Sequence, residues 1–286
     1  MVTGSLGAAR DHIASGLALY RRDAHGEQAL HYGGHDPGVC GYVVDALVAA
    51  VMGYPDEGVS LLHKGVELAR ELDHPPSLAQ ALWFAAELYQ IRREPEKVQD
   101  SVSAVLPLLS RHGSAVGVAN ATMLRGWARV IQGHIDEGLA VVRDGLSAWR
   151  ATGSKFQVPY RLARAAEAYL VAGKIENGLQ LLREVTDQSE DRWFAPELHR
   201  LRGELLLEGG RRDEVEGCLK QAIKAAQEQG ARLLELRAAM SLGRVLQAQG
   251  RRNEARALLA PVYNWFTEGL DTADLQQARA LLDRLD

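Results

Sequence analysis

A six-residue turn recurs along the chain at a near-constant interval, and that interval limits the possible folds more than any other feature. The copies are Gly53-Tyr54-Pro55-Asp56-Glu57-Gly58, Gly133-His134-Ile135-Asp136-Glu137-Gly138, Gly173-Lys174-Ile175-Glu176-Asn177-Gly178, Gly210-Arg211-Arg212-Asp213-Glu214-Val215 and Gly250-Arg251-Arg252-Asn253-Glu254-Ala255. A sixth, Arg93-Glu94-Pro95-Glu96-Lys97-Val98, lacks the glycine but keeps Pro95 and Glu96 in phase with Pro55 and Asp56. The turns start at 53, 93, 133, 173, 210 and 250, and a period of about 40 residues is the mark of a solenoid.

Each part of the turn has a physical reason. Glycine at the end of a helix accepts the left-handed conformation that caps its last carbonyls. Three residues on, Asp56, Glu96, Asp136, Glu176 and Asp213 meet the positive end of the next helix dipole. Pro55 and Pro95 suit a first helical position, where the amide hydrogen they lack would have no partner. Seven residues before each turn stand Ala46, Ala86, Gly126, Ala166, Gly203 and Gly243. Five residues after it, Gly58, Gly138, Gly178 and Ala255 are small as well. Small residues on both sides of a turn let two antiparallel helices approach closely. The unit is a helical hairpin, and the fold class is all-α.

Helix signals place first helices near 39–52, 79–92, 119–132, 159–172, 196–209 and 233–249, and second helices near 55–72, 95–112, 135–151, 175–190, 212–229 and 252–266. Pro107 and Pro261 fall inside second helices and are expected to bend or break them. A last helix near 272–285, preceded by Asp271-Thr272, is expected to cap the array. Residues 5–22 read as one more second helix, with Gly4 as its turn glycine and no first helix before it, and residues 23–38 read as a loop. The chain thus divides into 1–38, the remnant of a preceding repeat, and 39–286, a superhelix with its cap. On this reading the chain is a fragment, or the C-terminal part of a longer protein.

The phase of these small residues resembles the tetratricopeptide repeat, whose unit has small residues at its eighth and twentieth positions and often glycine at its fifteenth. The present period is longer than that family's usual unit of about 34 residues, and HEAT-type repeats are the alternative on length alone. Tyr89 and Tyr169 keep the family's tyrosine position, while Ala49, Arg129, Leu206 and Leu246 replace it elsewhere. The resemblance implies a right-handed α-solenoid of about six hairpins. Further segments resemble the C-terminal repeat region of large bacterial signalling proteins. Those proteins place a class III adenylate/guanylate cyclase or DNA-binding domain, then an AAA-type ATPase domain, before the repeats. The segments are His31 to Cys40, Arg125-Gly126-Trp127-Ala128, Leu146 to Gly153, Glu197 to Leu207 and Leu258 to Leu275. What this implies is a regulatory repeat region, without cyclase or ATPase activity in this chain.

Composition narrows the function classes. Lys and Arg number 33 against 37 Asp and Glu, a net charge of −4 that gives no electrostatic case for direct nucleic-acid binding. Two distant cysteines, Cys40 and Cys218, suit a reducing cytoplasm, and the N-terminus lacks a basic-then-apolar signal pattern. No apolar run is long enough to span a membrane, and the best candidate, Val39 to Tyr54, carries Asp45. His31, His35 and Asp36 invite a metal reading, but no known ligand spacing matches, and a helix-capping loop with Asp36 and Pro37 opening the next helix is the simpler account. No phosphate loop, nucleophile elbow or His-Glu-x-x-His pair occurs, so no cofactor and no catalytic residue is expected.

The groove is the better place for function. If the resemblance holds, positions thirteen, ten and six residues before each turn line the concave surface. There Trp83, Met123 and Trp127 would form an apolar patch, Arg200, Arg237 and Arg244 a basic end, with Glu87, Asn120 and Tyr160 among them. Aromatic, Met and Arg side chains are common peptide anchors. The competing account makes Trp83 and Trp127 core residues wedged between repeats. The expected function is non-catalytic: binding a protein or peptide, or another domain of a parent protein. An inducer held inside the superhelix is the alternative.

Overall fold

The computed structural model describes residues 3–25, 34–185 and 191–285. Among them the chain is all helical. It runs α1 (Leu6–Leu19), α2 (Arg22–His25), α3 (Pro37–Met52), α4 (Pro55–Glu71), α5 (Pro75–Ile91), α6 (Pro95–Arg111), α7 (Ala115–Ile131), α8 (Ile135–Ala151), α9 (Val158–Val171), α10 (Ile175–Arg183), α11 (Ala195–Glu208), α12 (Arg212–Gln229), α13 (Arg232–Ala248), α14 (Arg252–Tyr263) and α15 (Ala273–Leu285). From α3 onward the helices pack as consecutive hairpins, the layout of an all-α solenoid.

The turns behave as their residues require. Gly53, Gly133, Gly173, Gly210 and Gly250 all have φ between 67° and 102°. The copy without glycine makes the same turn: Arg93 adopts φ 59°. A side chain in that region costs about 1–2 kcal/mol. Arg93→Gly is therefore expected to raise unfolding stability by about 1 kcal/mol, read as a higher urea midpoint at unchanged m-value. Pro55 and Pro95 begin α4 and α6, and Asp56, Glu96, Asp136, Glu176 and Asp213 lie in the first turns they were expected to occupy.

Departures from the sequence reading are local. α6 runs unbroken through Pro107 to Arg111. α14 ends at Tyr263, two residues past Pro261 and short of 266. α5 and α7 begin four residues earlier than the spacing indicated. Pro75 starts α5, and the Ser114 hydroxyl caps α7 by accepting from the Gly117 amide at 3.3 Å. α10 ends at Arg183, and 186–190, expected as its last turns, lie outside the described residues. The segment read as a loop over 23–38 contains most of α2, and its residues 26–33 also lie outside them.

The small residues set the hairpin spacing. A Cβ on Gly126 of α7 would stand 2.6 Å from the Val142 amide nitrogen of α8, and one on Gly138 would stand 2.7 Å from the Val130 amide nitrogen of α7. In the first hairpin a Cβ on Gly58 would stand 2.8 Å from the Ala46 carbonyl oxygen. Contacts group the chain into two compact units, one of 7–50 with 55–155, the other of 1–6, 51–54 and 156–286. The break falls after Lys155, where the repeat phase gives no warning of it.

Candidate functional site

Successive first helices of the second unit, α9, α11, α13 and α15, share a face on which charged side chains are buried. Arg200 on α11 donates to both carboxylate oxygens of Glu197, at 2.9 and 2.6 Å, and pairs with Glu204 at 2.7 Å. These three lie at i, i+3 and i+7 and so fall on one side of the helix. Arg237 on α13 lies 3.8 Å from Glu197 and holds Asp274 of α15 at 2.7 Å. The Ser241 hydroxyl donates to Glu204 at 2.6 Å. Burial by itself disfavours the Arg200 charge, but Glu197, Glu204 and the more distant Glu167 outweigh it and raise its pKa. The result is a polar ladder across three helices. Desolvation of these buried charges offsets much of their mutual attraction, so the network need not add net stability.

Beside the ladder lies an open cleft of about 300 Å³ between α11 and α13. Val215, Leu219 and Val245 are its buried apolar floor; Leu170, Leu207, Glu204, Glu208 and Arg244 form its rim. Arg244 is exposed and reaches Gln277 at 3.4 Å. A second depression, of about 360 Å³ between α10, α11 and α12, is lined by Asp191, Arg192, His199, Arg202 and Glu228. There burial pushes the Asp191 carboxyl up to about 6, against the pull of Arg161.

The first unit has a smaller version of the ladder. Glu87 of α5 is fully buried and accepts from the Trp83 indole at 2.8 Å and from the Asn120 amide of α7 at 3.1 Å. Through these bonds the buried Glu87 ties α5 to α7.

Of the nine residues expected along the groove, only Trp83 and Arg244 keep appreciable exposure. Glu87, Asn120, Met123, Trp127, Tyr160, Arg200 and Arg237 are buried, each at 3% exposure or less. Met123 faces its own hairpin partner, since a Cβ on Gly145 of α8 would meet its Cγ at 2.7 Å. Trp127, at 1% exposure, is part of the packed interior, and Tyr160 is enclosed by Trp193 and Phe194. Seven of the nine are therefore not surfaces a partner meets directly. The positions next to the ladder, exposed Glu208 and half-buried Leu207, follow the same face one turn on, and only the packing of α11 against α13 singles them out.

The capping account of the His35-Asp36 loop holds. Asp36 accepts from the Val39 amide at 2.9 Å at the start of α3, its own amide donates to the Ser77 hydroxyl at 2.8 Å, and the Tyr20 hydroxyl donates to its other oxygen at 3.1 Å. Burial and the nearby His74 lower the pKa of His35. His31 lies outside the described residues, and among those described no cluster of three His, Cys, Asp or Glu side chains is placed to hold a metal. No described helix is long and apolar enough to cross a membrane.

No family model matches the chain. It is similar to an uncharacterized protein of Rhizobium meliloti (strain 1021), with 29% identity over 238 residues. The match covers 82% of this chain and 23% of that protein, so the chain spans less than a quarter of the relative's length.

Proposed function

We propose that the chain is a non-catalytic, tetratricopeptide-like scaffold that binds a protein or peptide segment. We further propose that it is the regulatory part of a bacterial nucleotide-dependent signalling or transcription regulator. The observation that carries the binding role is the cleft at Arg244. Its apolar floor, charged rim and side opening suit one or two side chains of an extended or helical segment better than a whole small molecule, which needs most of its surface enclosed. Behind it the Arg200 ladder holds α11 and α13 in fixed register, so the cleft is preformed and little ordering is needed on binding. The regulatory role rests on the resemblance and on the greater length of the relative, which supports reading this region as one part of a larger architecture. The cytoplasm is the compartment that fits such a regulator.

The test has two arms. Native mass spectrometry of the purified chain is expected to give the bare polypeptide mass. Peptides selected from a displayed library should then lose about tenfold or more in affinity for Arg244→Glu. Arg244 is exposed, so this variant should melt like the parent. A retained small molecule, or peptides indifferent to the substitution, would move the reading to an inducer sensor or to another surface.

A further inference from the structure

α10 and α11 belong to successive repeats, and a small depression of about 80 Å³ opens between them. Leu179, Leu182 and Arg183 of α10 form one wall. They stand at i, i+3 and i+4 and so share a helix face. Arg202 and Leu206 of α11, also four residues apart, form the other wall, and Arg211, the residue before α12, closes the end. None of the six lines the Arg244 cleft. Leu179 and Leu206 are buried and Leu182 is half-buried, so the floor is aliphatic. The three arginines are exposed and form the rim, and no carboxylate joins the lining.

The charges on this rim do not balance. Arg211 donates to Glu214 through Nε at 3.0 Å and Nη2 at 2.6 Å. Arg183 lies 4.0 Å from Glu176. Arg202 makes no hydrogen bond or ion pair with a described residue. Burial raises the pKa of the half-buried Cys218 thiol on α12, and the positive charge of Arg202 is the strongest influence against it. Three guanidiniums thus meet two carboxylates, which leaves one positive charge beside three leucines.

We propose that this depression binds a singly charged carboxylate carried on a short aliphatic body. The planar fork of an arginine matches a carboxylate through two parallel hydrogen bonds. The leucines take the methyl and methylene groups behind it. A phosphate dianion fits less well, because it calls for two uncompensated charges and makes no use of an aliphatic floor. The volume admits the head group and a few carbons, and it is far below the roughly 300 Å³ or more of a site that encloses a drug-sized ligand. The carboxylate can come from a free short-chain acid or from a glutamate side chain of a partner. The site stands independently of the peptide cleft, with which it shares no residue.

The probe is isovalerate, titrated into the full chain in a chloride buffer and followed by saturation-transfer difference NMR. Its methyl groups are expected to receive the strongest saturation, since they lie on the leucines. Arg202→Gln should weaken binding about fivefold or more, and isovaleramide, the same shape without the charge, should lose as much. Inorganic phosphate should bind more weakly than isovalerate. Arg202 is exposed, so Arg202→Gln should melt like the parent, and Arg244→Glu should leave binding unchanged. The blocked peptide Ac-Ala-Glu-Ala-amide separates the sources: affinity above that of isovalerate assigns the carboxylate to a partner's side chain, and affinity below it to a free acid. No saturation transfer, an amide or phosphate that binds as well as isovalerate, or binding indifferent to Arg202→Gln would overturn the proposal. Loss of binding in Arg244→Glu would overturn it by placing the probe in the cleft.

Discussion

Gly138→Ala is expected to destabilise the unit containing α7 and α8 by about 2 kcal/mol, although alanine is the better helix former by up to about 1 kcal/mol. The reason is steric. The new methyl would stand 2.7 Å from the Val130 amide nitrogen and 2.9 Å from the Gly126 carbonyl oxygen. Both are backbone atoms, so no rotamer change relieves the clash; α7 and α8 must move apart. That separation would also loosen Leu139, Val142 and Leu146, which pack between them. The matched control is Gly217→Ala, inside α12, where a Cβ meets nothing within 4 Å. There the same chemical change should stabilise by about 0.5–1 kcal/mol. Urea unfolding of both variants, followed by tryptophan fluorescence and circular dichroism, reads the difference in sign. Equal shifts in one direction would show that close approach does not govern the hairpin.

The second large effect is expected at Arg237. Arg237→Met removes the cation that faces Asp274 and Glu197, and both carboxylates are almost fully buried. Breaking one side of a buried pair costs about 3–5 kcal/mol, because the charge left behind cannot reach water. The double variant Arg237→Met with Asp274→Leu should recover most of that loss, to within about 1 kcal/mol of the parent, since apolar replacement of a whole buried pair is often neutral. A double-mutant cycle on thermal unfolding measures it. If the double variant were as unstable as the single one, the ladder would be contributing net stability and not only register. Its effect on the cleft is separable: the double variant should bind the selected peptides more weakly while remaining folded, because α11 and α13 lose a shared restraint.

The repeat was legible because its causes are local. A glycine with positive φ, a carboxylate in the first turn of a helix and a proline at its first position act over a few residues, so they leave their mark in the sequence at each copy. This is why the starts of the twelve hairpin helices could be placed to within four residues, and why Pro95 and Glu96 betray the turn at 93 even without a glycine. The small residues at Gly126 and Gly138 were legible for the same reason, since antiparallel packing across a short turn is nearly local.

The site was less legible. Counting back from the turn located one face of each first helix, but not how deeply that face lies. Asn120, Trp127 and Tyr160 share it and are buried, while Arg244 on the same series is exposed. Burial at these positions depends on the neighbouring repeat, at 33 to 40 residues' remove, as in the Asn120–Glu87 and Arg237–Asp274 contacts. A hydropathy pattern cannot report a partner that far away. It shows Glu197 and Glu204 beside Arg200 on one helix face, but reads all three as a solvated surface cluster, because nothing nearby in sequence reports the burial of Arg200 and Glu197.

By itself, then, the sequence determined the hairpin, its period, its caps and the order of the helices, because turn geometry and helix contacts act within one repeat. Only the tertiary structure decided which polar side chains became a buried ladder, where the cleft opened and where the chain divided into two units. Those depend on the stacking of one repeat against the next, where a side chain's neighbours come from elements that share no local signal with it.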